Sequence, residues 1–262
     1  MSEKLVLHLI QYRVIPGEVD KSLRAAGDLI ASASPRKGDL ILLPELFATG
    51  FHYAALGKMA DRYQDIVRWM TETATRSGAG IAGTVAVKRP EGIANTMMLV
   101  DGSGSVLASY DKIHLFFAAE ENLHFAPGHG TVVTHWDGRA VGLAICFDLR
   151  FPEMVRKLGD EGAQVVLVSA QWPLARVDHF RDFTRVRAME NQLFVVSCNS
   201  CGDDGRGLTL GGGSTVVDPS GEVMGVLGRE EGVLTLEIDL KDVGRVRDSF
   251  PVMKVRRRDL YG

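Results

Sequence analysis

Short apolar runs and amphipathic stretches alternate along this chain. Leu5–Gln11 is brief and apolar-rich, which predicts a strand, and Leu40–Leu43, Ala79–Val87 and Phe194–Ser197 read the same way. Val141–Ile145 and Gln164–Ala170 are apolar without alternation, the pattern of strands buried on both faces. Segments of helical period lie between them. Asp20–Ser32 gathers Leu23, Ala26, Leu29 and Ile30 on one face, and Ala60–Arg76 gathers Ile66, Val67, Trp69, Met70 and Ala74. Glu153–Leu158 predicts a short helix after Pro152. From Val177 to Leu193, the residues Val177, Phe180, Phe183, Val186, Met189 and Leu193 recur at three- and four-residue steps, which predicts a buried face. Arg181, Asp182, Arg185 and Arg187 then fall on the solvent face.

Three segments carry hairpin signals. Asn95–Tyr110 and Ser214–Leu227 each run apolar strand, Ser/Gly turn, second strand, and Trp136-Asp137-Gly138-Arg139 predicts a tight turn. Strand–helix alternation interrupted by hairpins predicts an α/β protein: mixed sheets with helices outside, in two halves able to pack sheet on sheet. No low-complexity linker divides the 262 residues, so one domain over 1–262 is expected. The tail Val255–Tyr261, with Arg256, Arg257 and Arg258, reads as an extended arm, and the chain from about 245 onward is expected at a subunit contact.

Composition narrows the function class. A formal net charge of −3 gives no support to nucleic-acid binding. No apolar stretch approaches the roughly 18–20 residues that span a bilayer, so no membrane partner is expected. The N-terminus shows no signal-peptide pattern, so a cytoplasmic location is expected. Three cysteines, Cys146, Cys198 and Cys201, are too few for a disulfide framework. The lone CxxC at Cys198–Cys201 lacks the second ligand pair of a zinc ribbon, and the histidines lack metal-site spacing. Gly211-Gly212-Gly213-Ser214 precedes a strand and does not read as a nucleotide loop. No metal or cofactor is expected.

Three chemically able residues stand at the ends of strand-like runs. Cys146 closes Val141–Ile145, Glu45 follows Leu40–Pro44, and Lys112 follows Val106–Asp111. Ligands of open α/β sheets bind outside such strand ends. An unperturbed thiol is only a few per cent thiolate at neutral pH, so it needs a base. Glu45 is the candidate, because a desolvated carboxylate has a raised pKa suited to that task. Attack on an amide carbon builds charge on oxygen, which Lys112 and the Phe147 N–H could hold. One such donor contributes roughly 3–4 kcal/mol in known cases. Arg150 could offer a bidentate fork to a substrate carboxylate, or it could pair with Asp148 or Glu153. Trp172, Phe51, Tyr53 and Phe116 could wall a pocket, or serve as ordinary core.

The local sequences around the trio resemble known motifs. Leu43-Pro44-Glu45-Leu46-Phe47, Tyr110–Phe116 and Cys146-Phe147-Asp148-Leu149-Arg150-Phe151-Pro152-Glu153 resemble, in that order, the glutamate, lysine and cysteine motifs of the nitrilase (carbon–nitrogen hydrolase) superfamily. The resemblance runs from about Leu5 to the tail. It implies an αββα four-layer sandwich and a dimer or larger homo-oligomer. It also implies Cys146 as nucleophile, Glu45 as general base and acid, and Lys112 as electrostatic stabiliser. A second glutamate often accompanies them. Glu121 is the better match, and Glu120 beside it stays open. Lys112–Phe116, Glu121–Phe125, Gln171-Trp172-Pro173 and Arg185–Gln192 are most similar to the omega-amidase branch, although that branch has Asn where this chain has Gln171. The implied reaction is hydrolysis of the terminal amide of alpha-ketoglutaramate or alpha-ketosuccinamate through a Cys thioester. A deaminated glutathione amidase and an N-carbamoyl amino acid hydrolase are the alternatives.

Overall fold

The computed structural model describes residues 3–261; Met1, Ser2 and Gly262 lie outside the described residues. In chain order the first half contains β1 (Lys4–Gln11), α1 (Val19–Ala33), β2 (Leu40–Leu42), α2 (Leu56–Asp61), α3 (Tyr63–Ser77), β3 (Gly80–Arg89), β4 (Gly92–Val100), β5 (Val106–Asp111) and α4 (Glu121–His124). The second half contains β6 (Val133–Trp136), β7 (Arg139–Ile145), α5 (Pro152–Asp160), β8 (Val165–Ala170), α6 (Val177–Asn191), β9 (Phe194–Asn199), β10 (Cys201–Asp203) and β11 (Thr209–Gly211). It ends with β12 (Thr215–Val217), β13 (Val223–Val226), β14 (Gly232–Asp239), α7 (Lys241–Ser249) and α8 (Arg258–Tyr261).

Two six-stranded mixed sheets form, ordered β14-β1-β2-β3-β4-β5 and β13-β12-β9-β8-β7-β6. The last long strand, β14, returns to pair antiparallel with β1 along its whole length, which ties the two halves together. Period-two alternation sorts the side chains. Leu5, Leu7, Leu9, Leu40, Leu42, Met97 and Leu99 meet Leu143, Ile145, Val165 and Leu167 between the sheets. Ile41, Leu43, Ile81 and Val85 face the other way, onto Ala26 and Ile30 of α1 and Ile66 and Met70 of α3. Val155 and Leu158 of α5 and Phe180 and Ala188 of α6 cover the second sheet. The layers are therefore α-β-β-α, as expected.

The three hairpins form where the turn residues stand, β4–β5, β6–β7 and β12–β13. Two helices depart from expectation. The stretch read as Ala60–Arg76 is two helices, broken where Arg62 leaves the helical region (φ −80°, ψ 1°) and its guanidinium reaches Asp20 and Asp65. On α6 the apolar period misidentifies the inner face. Val186 and Met189 are exposed, whereas Thr184, Arg187 and Asn191 are buried. Arg187 turns inward because it donates to the carbonyls of Leu149 and Arg150, at 3.0 and 3.1 Å, and pairs with Glu190. The tail is not an extended arm. It forms short helical turns, and Arg256 and Arg258 both pair with Asp160 of the same chain. Among the described residues no helix is long and apolar enough to cross a membrane.

Candidate active site

Glu45, Lys112 and Cys146 come together, and Glu121 rather than Glu120 joins them. Lys112 Nζ lies 2.7 Å from Glu45 Oε1, 2.7 Å from Glu121 Oε2 and 3.0 Å from Glu121 Oε1. Glu45, Lys112 and Glu121 are each about 1% exposed or less. Glu120 is exposed and caps α4. Phe116 N–H also donates to Glu121 Oε2, at 2.7 Å. One buried ammonium thus lies between two buried carboxyl groups.

Each member is held by the strand that precedes it. Glu45 follows β2 through Pro44, and its N–H donates to the Ala170 carbonyl at the end of β8. The Gln171 N–H donates to Glu45 Oε2 at 3.0 Å, and the Gln171 side-chain amide donates to the Glu45 carbonyl at 2.8 Å. The longer Gln171 side chain is thus spent bracing Glu45. Lys112 follows β5, and its N–H donates to the Asn95 carbonyl on β4. Cys146 follows β7 and opens a short 3-10 helix, Cys146–Arg150.

Asp148 fastens that turn. It is fully buried and accepts from Ile145 N–H (2.9 Å), Tyr110 O–H (2.7 Å) and His114 N–H (3.1 Å), with the His114 ring at 2.8 Å. The cysteine turn and the lysine motif are therefore bolted to one carboxylate. Three non-glycine residues at the site have positive φ: Leu46 (42°), Cys146 (45°) and Glu120 (59°). Such conformations cost about 1–3 kcal/mol each and persist only where surrounding contacts enforce them. Here they aim Glu45, the thiol and Glu121 at one point.

The ionisation pattern follows from burial. Burial pushes the Cys146 thiol well up; the Glu45 charge adds to this, and Lys112 opposes it. The resting sulfur is therefore a neutral thiol. Burial also raises Glu45, against the pull of Lys112. Burial works against the Lys112 charge, but Glu121 and Glu45 outweigh it and hold the ammonium well above its usual range.

Two small compartments of about 20 Å³ each share the thiol, Phe116, Gln171 and Pro173 as walls. One continues to Phe147, Arg150, Trp172 and Arg176; the other continues to Phe51, Arg206, Leu208 and Leu210. Larger open grooves of about 670 and 600 Å³ lie elsewhere, but none of the site's acid–base residues lines them. Arg150 takes neither ion pair open to it in sequence. Its guanidinium lies 5.1 Å from the Trp172 ring centroid and 5.0 Å from that of Phe183, and no carboxylate among the described residues pairs with it. Tyr53 stands behind the pocket: its hydroxyl donates to the Ala119 carbonyl and its ring stacks on His124 at 4.0 Å.

Sequence reasoning missed Asn95. It is fully buried on β4, and its Nδ2 donates to Glu45 Oε1 at 2.8 Å and Glu121 Oε1 at 3.2 Å. The available signal was a lone amide opening a hairpin strand, Asn95-Thr96-Met97-Met98, one turn from the lysine motif.

Comparison with known proteins gives the family and the fold. A family model described as carbon–nitrogen hydrolase matches residues 8–248. The chain is 37% identical over 260 residues to a 2-oxoglutaramate amidase of Bacillus subtilis, covering 98% of this chain and 100% of that one. It is also 37% identical to the omega-amidase YafV of Escherichia coli K12, covering 81% and 82%. Among solved structures, a CN-hydrolase superfamily protein of Xanthomonas campestris with an arsenic adduct in its active site superposes with a TM-score of 0.90 at 30% identity, covering 96% of each chain. A variant amidase of Nesterenkonia sp. AN1, with an acetamide moiety added covalently at its active-site cysteine, gives 0.86 at 31% identity, covering 98% and 95%.

Proposed function

Because the chain belongs to the carbon–nitrogen hydrolase family, we propose that it hydrolyses the terminal amide of small carboxylate-bearing acids such as alpha-ketoglutaramate or alpha-ketosuccinamate, releasing ammonia. The Glu45 carboxylate takes the Cys146 proton as sulfur bonds to the amide carbon, and the carbonyl π pair moves onto oxygen. Lys112 Nζ, whose contacts to the two Glu121 oxygens can share one of its three N–H groups, and the Phe147 N–H receive that oxyanion; Phe147 sits in the first turn of its 3-10 helix, where no intrahelical acceptor exists. Glu45 then returns the proton to nitrogen as the C–N bond breaks and ammonia leaves, and a thioester remains on Cys146. Water gives a proton to Glu45, attacks the thioester carbon and expels the sulfur, which recovers the proton. Glu121 keeps Lys112 charged and aimed.

The observation that carries the substrate class is Arg150. A guanidinium without a carboxylate partner, at the wall of the pocket and beside a second cation, Arg176, suits an anionic substrate tail. The names of the Bacillus and Escherichia relatives support the same class. Trp172, Phe116 and Phe51 would pack the carbon chain. A single domain, a homodimer or larger homo-oligomer and a cytoplasmic location belong to this proposal. The test is ammonia release from alpha-ketoglutaramate, N-carbamoyl amino acids and deaminated glutathione, with a Cys146→Ala control. The proposal requires the keto-acid amide to be preferred and the control to be inactive; preference for either other substrate would redirect it.

A further inference from the structure

Glu45 has two oxygens, and a carboxylate offers about four lone-pair sites in all. Oε1 accepts from Lys112 Nζ at 2.7 Å and from Asn95 Nδ2 at 2.8 Å, so both its sites are filled. Oε2 accepts from the Gln171 N–H, and its remaining site faces the Cys146 thiol. Glu121 is saturated: Oε1 accepts from Lys112 and Asn95, and Oε2 from Lys112 and the Phe116 N–H. The Lys112 ammonium and the backbone N–H groups cannot turn into acceptors, and the Asn95 amide could present its oxygen to Glu45 only by giving up its bond to Glu121. A proton delivered to the cluster therefore finds one vacant place, Glu45 Oε2.

We infer that Asn95 is a positioning residue that makes Glu45 Oε2 the only proton-accepting atom of the cluster. The inference rests on Glu45 acting as the base. The orientation of the Asn95 amide is dictated by chemistry, because two carboxylate oxygens face it and only the NH₂ can satisfy both. Its own Oδ1 is left buried without a partner. A buried unmade bond costs about 1–3 kcal/mol, so stability alone does not account for the residue. Two buried carboxylates that share an ammonium tend to share a proton as well. By donating to both, Asn95 opposes that sharing.

The other groups facing Glu45 are Lys112, Glu121 and the Cys146 thiol, with Tyr53 and its neighbour Arg206 beyond them. All of these carry or exchange a charge; the uncharged donors to Glu45 are Asn95 and the Gln171 N–H. Without the amide, Oε1 gains a vacant site on the lysine side, where a proton cannot be exchanged with Cys146.

The test compares Asn95→Leu, which has no donor, with Asn95→Ser, which keeps one, alongside Glu45→Gln. Ammonia release is measured across pH, together with the pH dependence of Cys146 alkylation by iodoacetamide and the melting temperature. Loss of a bond to a charged group predicts about a 10- to 100-fold fall in kcat for Asn95→Leu. The acid limb of kcat and of alkylation should move up by about one pH unit as the ionised form loses its donor. Asn95→Ser should recover part of both, and KM should stay within about threefold, the scatter of a residue off the substrate. If Asn95→Leu does not fold, Asn95→Ser decides. A lowered melting temperature with an unmoved acid limb, or wild-type kcat in a folded variant, overturns the inference. If Glu45→Gln is inactive while the Asn95 variants behave as wild type, only this inference falls. If Glu45→Gln remains active, the role of Glu45 itself falls.

Discussion

Arg150→Lys separates recognition from chemistry. The guanidinium is partly buried, packed over Trp172 and Phe183, and its ionisation is disfavoured first by burial and then by Arg176. A planar fork in that position makes two parallel bonds to a carboxylate. Lysine keeps the charge but loses one of the two bonds and the stacked orientation. One bond to a charged group contributes about 1.5–3 kcal/mol, or roughly 10- to 150-fold at about 1.4 kcal/mol per tenfold. The loss should fall on kcat/KM for alpha-ketoglutaramate and be expressed mainly in KM. A neutral amide of equal chain length lacks the carboxylate and should change by no more than about threefold. The assay is ammonia release from both substrates with wild type and variant. Equal losses on the two substrates would refute a carboxylate contact at Arg150 and turn the substrate class toward neutral amides.

Other perturbations follow from the same geometry. Burial holds the Glu45 pKa above its unfolded value, so its stabilising contribution is complete below about pH 4 and lost as pH rises through the raised value. The wild type should therefore lose melting temperature relative to Glu45→Gln over that rise, while Glu45→Gln loses about 10²–10⁴-fold in kcat; a constant difference in melting temperature across pH would contradict the shift. Asp148→Ala strands the donors of Tyr110, His114 and Ile145 in the interior. It should cost about 3 kcal/mol or more in denaturant unfolding and lower kcat, since the cysteine turn loses its fastening. A Cβ at Gly83 would meet Phe47 at 2.9 Å and Leu43 at 3.0 Å, directly under the Glu45 turn. Gly83→Ala should destabilise by about 1–3 kcal/mol and reduce kcat, measured by urea midpoint and ammonia release.

The layered fold was legible because its signals are local: continuous apolar strands, helical period, and turns such as Asp137-Gly138. The trio of Cys146, Glu45 and Lys112 was legible from strand ends and motifs. What sequence concealed depends on tertiary partners. Arg187 reads as a surface charge until the carbonyls of Leu149 and Arg150 are found facing it. Asn95 reads as one polar residue in a strand until two carboxylates converge on its amide. The positive φ of Leu46 and Cys146 has no sequence marker, because glycine, which tolerates it best, is absent from both positions. The choice between Glu120 and Glu121 required the cap geometry of α4, which turns one outward and the other onto Lys112.

The central claim is covalent: the acyl group passes through sulfur of Cys146. Wild-type protein mixed with excess alpha-ketoglutaramate, quenched in acid within one turnover and digested, should yield the Cys146 peptide carrying the substrate acyl mass, and Cys146→Ala should yield neither adduct nor ammonia. Ammonia release at the wild-type rate from Cys146→Ala, or an adduct on Cys198 or Cys201 in place of Cys146, would contradict the account.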